Sequence, residues 1–439
     1  MRDALAVRRY LQRHSEAALP QYTFAHPYWH QVLVLPAYRE PPELLNRLMM
    51  LPASEGKADA RTLVILVLNR PDTDSELQAN ATLRSALTQG TLSPALRAAV
   101  PVYCLNPHTD LYLHDMEMLH GPTPHKLGVG LARKTGCDLA LHWIDAGGIS
   151  GQWLCSMDAD ATLPADYFAQ LNGAVTDAVA ATFPFRHTHG TDTVCNFATA
   201  LYELRLHHYV LGLEYARSPY AYHTLGSCLA IRSSAYAHVH GFPKRAAAED
   251  FYLLNKLAKL GPIARLQGAC IELESRNSSR VPFGTGPAVA TIMEAENTTE
   301  ATLFYHPQCF TVLAALLARL PAIADAPQQA IATLLGDAGL SNTLATEAQA
   351  ALEQLGITPA LEHCHRQSRS NLQFQRHFHQ WFDGFRTLKF IHTLRASALP
   401  ALSLTEVTGN KPKLWPTGVN DSTDVEQIRG AIRRHWNWQ

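Results

Sequence analysis

Residues 153–168 read WLCSMDADATLPADYF. A short apolar run, Trp153 to Met157, gives way to a polar turn carrying Asp158 and Asp160 two positions apart. An uninterrupted apolar run of this length, closed by a turn, is the pattern of a strand buried on both faces. Residues i and i+2 of an extended chain project to the same side, so the two carboxylates can face one point just beyond the strand. Two anionic oxygen ligands there suit a hard divalent cation, Mn2+ or Mg2+, with open positions left for phosphate oxygens. The spacing alone is common: Asp72-Thr73-Asp74, Glu272-Leu273-Glu274 and Glu294-Ala295-Glu296 repeat it. Each of these is equally a solvated turn or a helix cap.

Working outward, Gln31 to Leu35 (QVLVL) is an apolar run stopped by Pro36, and Thr62 to Leu68 (TLVILVL) is a second, followed by the breaker NRPDTD. Val100 to Leu105 reads as a third strand, and Lys126 to Lys134 as a helix ahead of the Trp153 run. Buried strands alternating with helices predict an α/β fold, a mixed and mostly parallel sheet flanked by helices. Ligands of such sheets gather at the carboxyl ends of the strands, which directs attention to the turns after Leu35, Leu68 and Met157. Beyond about residue 290 the texture becomes Ala- and Leu-rich with helical spacing. Phe374, Phe378, Trp381, Phe385, Leu388 and Ile391 recur at steps of three and four, which predicts one amphipathic helix over Leu372 to Arg395. That stripe fits either a buried face or, with Arg376, Arg386, Lys389 and Arg395 beside it, a peripheral contact with an anionic membrane. The expected organisation is a helical segment at 1–27, the α/β domain at 28–296 and a helical region with a polar tail at 297–439.

The chain has 439 residues, 47% hydrophobic and 17% charged, as a folded globular protein does. Lys plus Arg number 37 against 38 for Asp plus Glu, a formal net charge of -1, which argues against nucleic acid as the main partner. The opening MRDALAVRRYLQRHSEAALP has no apolar core of signal-peptide length, and Phe310 to Ala326 is broken by Arg319 and Pro321. With eight scattered cysteines and no CxxC pair, the expectation is a cytoplasmic protein with reduced thiols, at most at the inner face of the membrane.

Downstream, Ser227 to Gly261 (SCLAIRSSAYAHVHGFPKRAAAEDFYLLNKLAKLG) reads as a strand, a short helix, a turn at Gly241 and Pro243, and then Glu249-Asp250 opening a helix. An acid pair at a helix N-terminus has a plain electrostatic reason, since free N–H groups and the macrodipole favour anions there. In order, QVLVLPAYREPPELL, MDADATLPADYF and GSCLAIRSSAY…GFPKRAAAEDFYLLNKLAKLG resemble the family 2 glycosyltransferases and the wider GT-A fold, over roughly residues 28 to 290. Two features depart from that pattern: the acidic residue after the second strand is displaced into NRPDTD, and no plain QxxRW segment follows the acid pair.

The resemblance implies roles. Asp158 and Asp160 would serve the metal on a nucleotide diphosphate, and Asp250 would be the general base toward an acceptor hydroxyl, with Glu249 orienting the base or a sugar hydroxyl. Pro36, Ala37, Tyr38 and Glu40 match the first loop, which usually cradles the nucleoside. Asp72 or Asp74 stands where a carboxylate commonly meets the base or ribose, though a plain Pro-Asp turn reads equally well. Lys126 lies where similar enzymes approach the nucleotide; Arg133, seven residues on, fits that role or a solvated helix face. Arg276 and Arg280 flank a run, VPFGTGP, that could close over the diphosphate or be a surface turn. Among 22 histidines, His187 and His223 are candidates for a third metal ligand, against the ordinary reading of buried or surface residues. The implied partners are a nucleotide-sugar donor and a glycan, lipid-linked or small-molecule acceptor. Two alternatives stand beside this reading: a binding module that recognises a sugar nucleotide or glycan without turnover, and a sugar nucleotidyltransferase, whose Gly-rich loop after the first strand LPAYREPP lacks.

Overall fold

The computed structural model describes residues 2–17, 19–53, 60–90, 92–173, 176–275, 284–295, 300–325, 329–419 and 422–439. Their strands are β1 (Gln31–Ala37), β2 (Thr62–Leu68), β3 (Ser93–Arg97), β4 (Val100–Asn106), β5 (Thr109–Asp115), β6 (Trp153–Ser156), β7 (Ala161–Thr162), β8 (Ala180–Thr182), β9 (Phe185–Thr188), β10 (Leu229–Arg232), β11 (Ile263–Arg265) and β12 (Ile271–Glu274). Nine of them form one sheet in the order β11-β8-β10-β6-β1-β2-β5-β4-β3, and β7-β12-β9 form a second, small one. Only β4 and β10 run against the rest of the large sheet, so seven of its nine strands point the same way. This is the mixed, mostly parallel sheet flanked by helices that the apolar runs predict.

β2 is buried at every position and β1 at all but its first, the condition of central strands covered on both faces. β1 continues through Pro36 instead of stopping before it. Its pairing with β6 ends at Val34, so no ladder bond is asked of the missing N–H on that side. The third parallel strand is β5, whereas the Val100 run forms the reversed strand β4. The helix Gly128–Asp145 crosses β1 and β2 closely enough that a Cβ on Gly136 would lie 2.4 Å from Val34 Cγ1. Against this helix rests Arg2–Arg13, tied by Tyr10, whose hydroxyl donates to Asp138 at 2.6 Å, while Lys134 donates to the same carboxylate at 2.7 Å.

The chain divides into two compact units, one of residues 1–190, 224–287 and 437–439, the other of 191–223 and 288–436. The sequence reading ran 28–296 as one domain, and its boundary at Asn297 lies outside the described residues. The helix Thr193–Tyr215 instead groups with the second unit. There Gly212 admits the ring of Phe310 to a distance no Cβ would tolerate, and Arg429 grips Glu203 with two hydrogen bonds of 2.7 and 3.0 Å. The expected helix over 372–395 is two, Asn371–Trp381 and Gly384–Ser397, because Asp383 caps a new N-terminus by accepting from the Arg386 amide. Half of its stripe is internal: Phe374, Phe378 and Ile391 are buried in the second unit's core, with Trp381 and Leu388 partly buried against it and Phe385 half-buried. Among the described residues no helix is long and apolar enough to cross a membrane. None of the eight cysteines is in a disulfide.

Candidate functional site

The site assembles at the carboxyl end of the sheet in the first unit. β6 is buried throughout and ends at Ser156, which places Asp158 and Asp160 in the turn just past the sheet, both half-buried. β10 runs antiparallel to β6 with Leu229 opposite Ser156, so Gly226, Ser227 and Cys228 come up beside the turn. The helix Gly128–Asp145 precedes β6 and runs opposite to it, which puts its N-terminal turns at the same edge.

From that helix Arg133, only 3% exposed, reaches the acids. Its Nε donates to Glu249 Oε1 at 2.7 Å, its Nη1 to Ser156 Oγ at 2.8 Å and to the Gly226 carbonyl at 3.3 Å, and its Nη2 to Asp158 Oδ1. Burial opposes the guanidinium's charge, and the carboxylates of Asp158 and Glu249 more than restore it, so its pKa rises. Gly226 lets the guanidinium come close: a Cβ there would stand 2.6 Å from Arg133 Nη2, and the guanidinium would have to shift. One buried cation thus joins two acids that lie 91 positions apart in sequence, from Asp158 to Glu249.

Glu249 and Asp250 open the helix Glu249–Leu257 from Ala248, a residue held in the left-handed region at φ 57° and ψ 22°. The preceding loop is pressed onto the start of the Gly128 helix. Gly130 donates its N–H to the Arg245 carbonyl at 3.0 Å, and a Cβ on Gly130 would lie 2.5 Å from the Pro243 carbonyl oxygen. Successive helical residues diverge by about 100°, so while Glu249 turns in toward Arg133, Asp250 faces a different direction. Asp250 is partly buried and accepts the Phe251 amide at 2.7 Å on Oδ1. Burial, then the charge of Glu249, push its pKa up to about 7; Arg133 pulls the other way and Asp158 adds to the rise. A carboxyl poised near neutrality is suited to moving a proton at physiological pH.

The turn's two acids share a neighbourhood. Burial first, and then the charges of both Asp158 and Asp160, push the thiol of Cys228 upward. Their donor set, two half-buried carboxylates beside the end of a strand, fits a hard cation completed by phosphate oxygens and water. Among the described residues no group of three His, Cys, Asp or Glu side chains has the geometry to hold a metal by itself. His187 is buried on β9 of the first unit. His223 belongs to the second unit, where its Nε2 shares a 3.0 Å hydrogen bond with His207 Nδ1 and its ring packs edge-on to Trp436.

At the neighbouring strand ends, Pro36 and Ala37 are the buried last residues of β1, and Glu40 is buried just after them. Tyr38 donates its hydroxyl to Asp74 at 2.5 Å, and Arg39 adds two hydrogen bonds of 3.0 and 2.7 Å to the same carboxylate. The Tyr38 hydroxyl, helped by Arg39, holds Asp74 down at about 2. Asp72 is used locally: its Oδ1 accepts the His125 amide at 2.8 Å, closing the second loop onto residues 123–125. Lys126 is exposed in the turn ahead of the helix, which begins at Gly128 and not at Lys126. Arg276 and Arg280 lie outside the described residues. Ser156, Gly226 and Arg47 were not anticipated as members of the site. Arg133 carries no signal of its burial in sequence, because Lys134 and Asp138 give the same helix an ordinary charged pattern and the burial of all three is tertiary.

No protein-family model matches the chain, and no curated protein matches its sequence. Solved structures do match. One is S. aureus TarS 1-349 in complex with UDP-GlcNAc, at 14% identity over 80% of this chain and 91% of that chain, with a TM-score of 0.34. Another is the mannosyltransferase PcManGT from Pyrobaculum calidifontis in complex with GDP-Man and Mn2+, at 16% identity over 86% of this chain and 93% of that one, with a TM-score of 0.36. Superpositions this loose decide nothing, and the fold stands on the chain's own strand order.

Proposed function

We propose that the chain is an inverting, metal-assisted glycosyltransferase of the GT-A, family 2-like type. It would move a sugar from a nucleotide-diphosphate donor to an acceptor hydroxyl. The observation that supports this reading is the buried Arg133, which bonds both Asp158 and Glu249, the sequence neighbour of Asp250, while the charge of Asp158 is felt at Asp250. In this reading the Asp250 carboxylate accepts the acceptor's hydroxyl proton as that oxygen attacks the anomeric carbon. The bond from that carbon to the diphosphate oxygen breaks on the opposite face, the nucleoside diphosphate departs, and the configuration inverts. Glu249, fixed by Arg133, keeps the first turn of its helix in place, and its charge keeps Asp250 basic. Asp158 and Asp160 would hold Mn2+ or Mg2+, which when bound offsets the charge gathering on the leaving diphosphate. The first two loops, with Tyr38 and Asp74, would line the nucleoside.

The test is a thermal-shift screen of UDP-, GDP-, CMP- and dTDP-sugars with and without Mn2+, followed by donor turnover in the native protein and in Asp250→Asn. A ligand that binds only the folded state raises the melting point. We expect one donor class to do so with Mn2+, and the substitution to leave that shift while removing turnover. No shift with any donor removes the proposal. Binding without turnover, unchanged in the variant, leaves a silent binding module instead.

A further inference from the structure

The Asp158-Ala159-Asp160 turn is held by its backbone. The carbonyl of Asp158 accepts the Ala161 amide at 3.1 Å, and that of Asp160 accepts the Glu274 amide at 3.3 Å. The middle carbonyl, of Ala159, is taken by the Arg47 Nη1 group, from a residue 112 positions away. Arg47 lies on the helix Leu44–Met49, which buries Leu44, Leu45 and Leu48 and leaves Arg47 on its other face. Its Nη2 reaches Glu274 Oε2 at 3.3 Å, so the residue that donates to Asp160 through its backbone is bound to Arg47 through its side chain. All three carbonyls of the turn thus have a donor, and Arg47 supplies the one that local structure does not.

We infer that Arg47 is a positioning residue: it fixes the direction in which Asp158 and Asp160 present their carboxylates, acting through the Ala159 carbonyl. The inference rests on the proposed role of those two acids toward a divalent cation. Orienting contacts behind metal ligands are worth roughly 10- to 100-fold in metal affinity. A planar guanidinium can serve the carbonyl and Glu274 together, whereas an ammonium serves them as a single point charge.

The experiment measures Mn2+ binding directly, from the free-ion EPR signal, with Mn2+ alone and with Mn2+ plus UDP or GDP. Proteins compared are the native chain, Arg47→Met, Arg47→Lys, Glu274→Gln and Asp158→Asn. We expect Arg47→Met to weaken binding by roughly 10- to 100-fold, and Arg47→Lys to recover only part of it. Glu274→Gln should stay within about threefold of native, because the bond to the turn remains. If Arg47→Met binds like native while Asp158→Asn does not bind, Arg47 has no positioning role and the metal reading stands. If Arg47→Met lowers the melting point and, measured well below it where the variant is fully folded, binds Mn2+ like native, the role is structural and the inference fails. If the native chain binds no Mn2+ under any condition, the reading of the two acids fails first and the inference with it.

Discussion

Two aspartates of the first unit sit at opposite ends of its sheet and are treated in opposite ways. Asp110, fully buried near the start of β5, accepts from Trp29 Nε1 at 2.9 Å, from Arg61 at 2.9 and 2.5 Å, and from Arg97 at 3.3 Å. Burial alone would raise its pKa, but the Arg61 and Trp29 bonds outweigh it and the carboxyl stays below its ordinary range. Asp250, past the carboxyl ends of the strands, has the Phe251 amide and a repelling Glu249, and its pKa rises to about 7. The first acid is fully compensated and serves cohesion. The second is left uncomfortable, which is the state a proton acceptor needs. On the proposed function, the sheet keeps stability at one end and chemistry at the other, and the charge balance of these two like residues follows that division.

The largest effect expected is on turnover in Asp250→Asn. Removing a general base costs roughly 10²- to 10⁴-fold. If the proposed reading holds, kcat/KM of the native chain should climb with pH and level off above about 7, as Asp250 loses its proton. Stability should move the other way. An acid whose folded pKa lies above its ordinary 3.8 binds more protons folded than unfolded between those values, so the native state loses stability as pH rises from 3.8 to about 7. Denaturant titrations at pH 4 and pH 8 measure this. Asp250→Asn should match the native chain at the lower pH and exceed it at the higher; a variant that is weaker at pH 8 would show the carboxylate to be structural.

Asp110→Asn gives the mirror image. Its folded pKa is depressed, so its contribution is present above 3.8 and disappears as pH falls below that value. At pH 7 the substitution removes the buried counter-charge from the partly exposed Arg61 and Arg97, a loss of about 1–3 kcal/mol. The gap to native should narrow in acid. Turnover per folded molecule should be unchanged, and a comparable loss of kcat in protein shown to be folded would erase the contrast between the two ends.

The strands nearest the site were legible because β1, β2, β6 and β10 are unbroken apolar runs whose burial leaves a plain trace. β5 was not, since Asp110, His114 and Asp115 interrupt its apolar residues, and Asp110 is acceptable there only through donors from three distant segments. Motif order likewise exposed Asp158, Asp160, Glu249 and Asp250, which carry their spacing with them. What joins them is tertiary. Arg133 reads in sequence as a residue near the nucleotide or on a solvated helix face, whereas it is buried between Asp158 and Glu249, and Arg47 has no local pattern that would betray its reach to Ala159. The two arginines that were anticipated, Arg276 and Arg280, fall outside the described residues.

The smallest effect tests how the acid pair is aimed. Ala248 adopts the left-handed conformation at φ 57° with no side-chain cap on the helix it begins, between a loop pinned to Gly130 and the inward-turned Glu249. An L-residue in this region costs about 1–2 kcal/mol, and glycine escapes that cost while adding about 0.5–1 kcal/mol of unfolded-chain entropy. Ala248→Gly should therefore be neutral or more stable by up to about 1 kcal/mol, with turnover within about threefold of native, since the pinned loop still sets the helix's direction. Ala248→Val tests the opposite limit. A β-branched side chain is a genuine outlier at positive φ, so the turn must shift, and a displacement of about 1 Å in a reacting group is worth roughly 100-fold in rate. Steady-state kinetics on both variants decide the matter. If valine is as active as alanine, the conformation at 248 has no part in placing Asp250, and the strain there belongs to the fold alone.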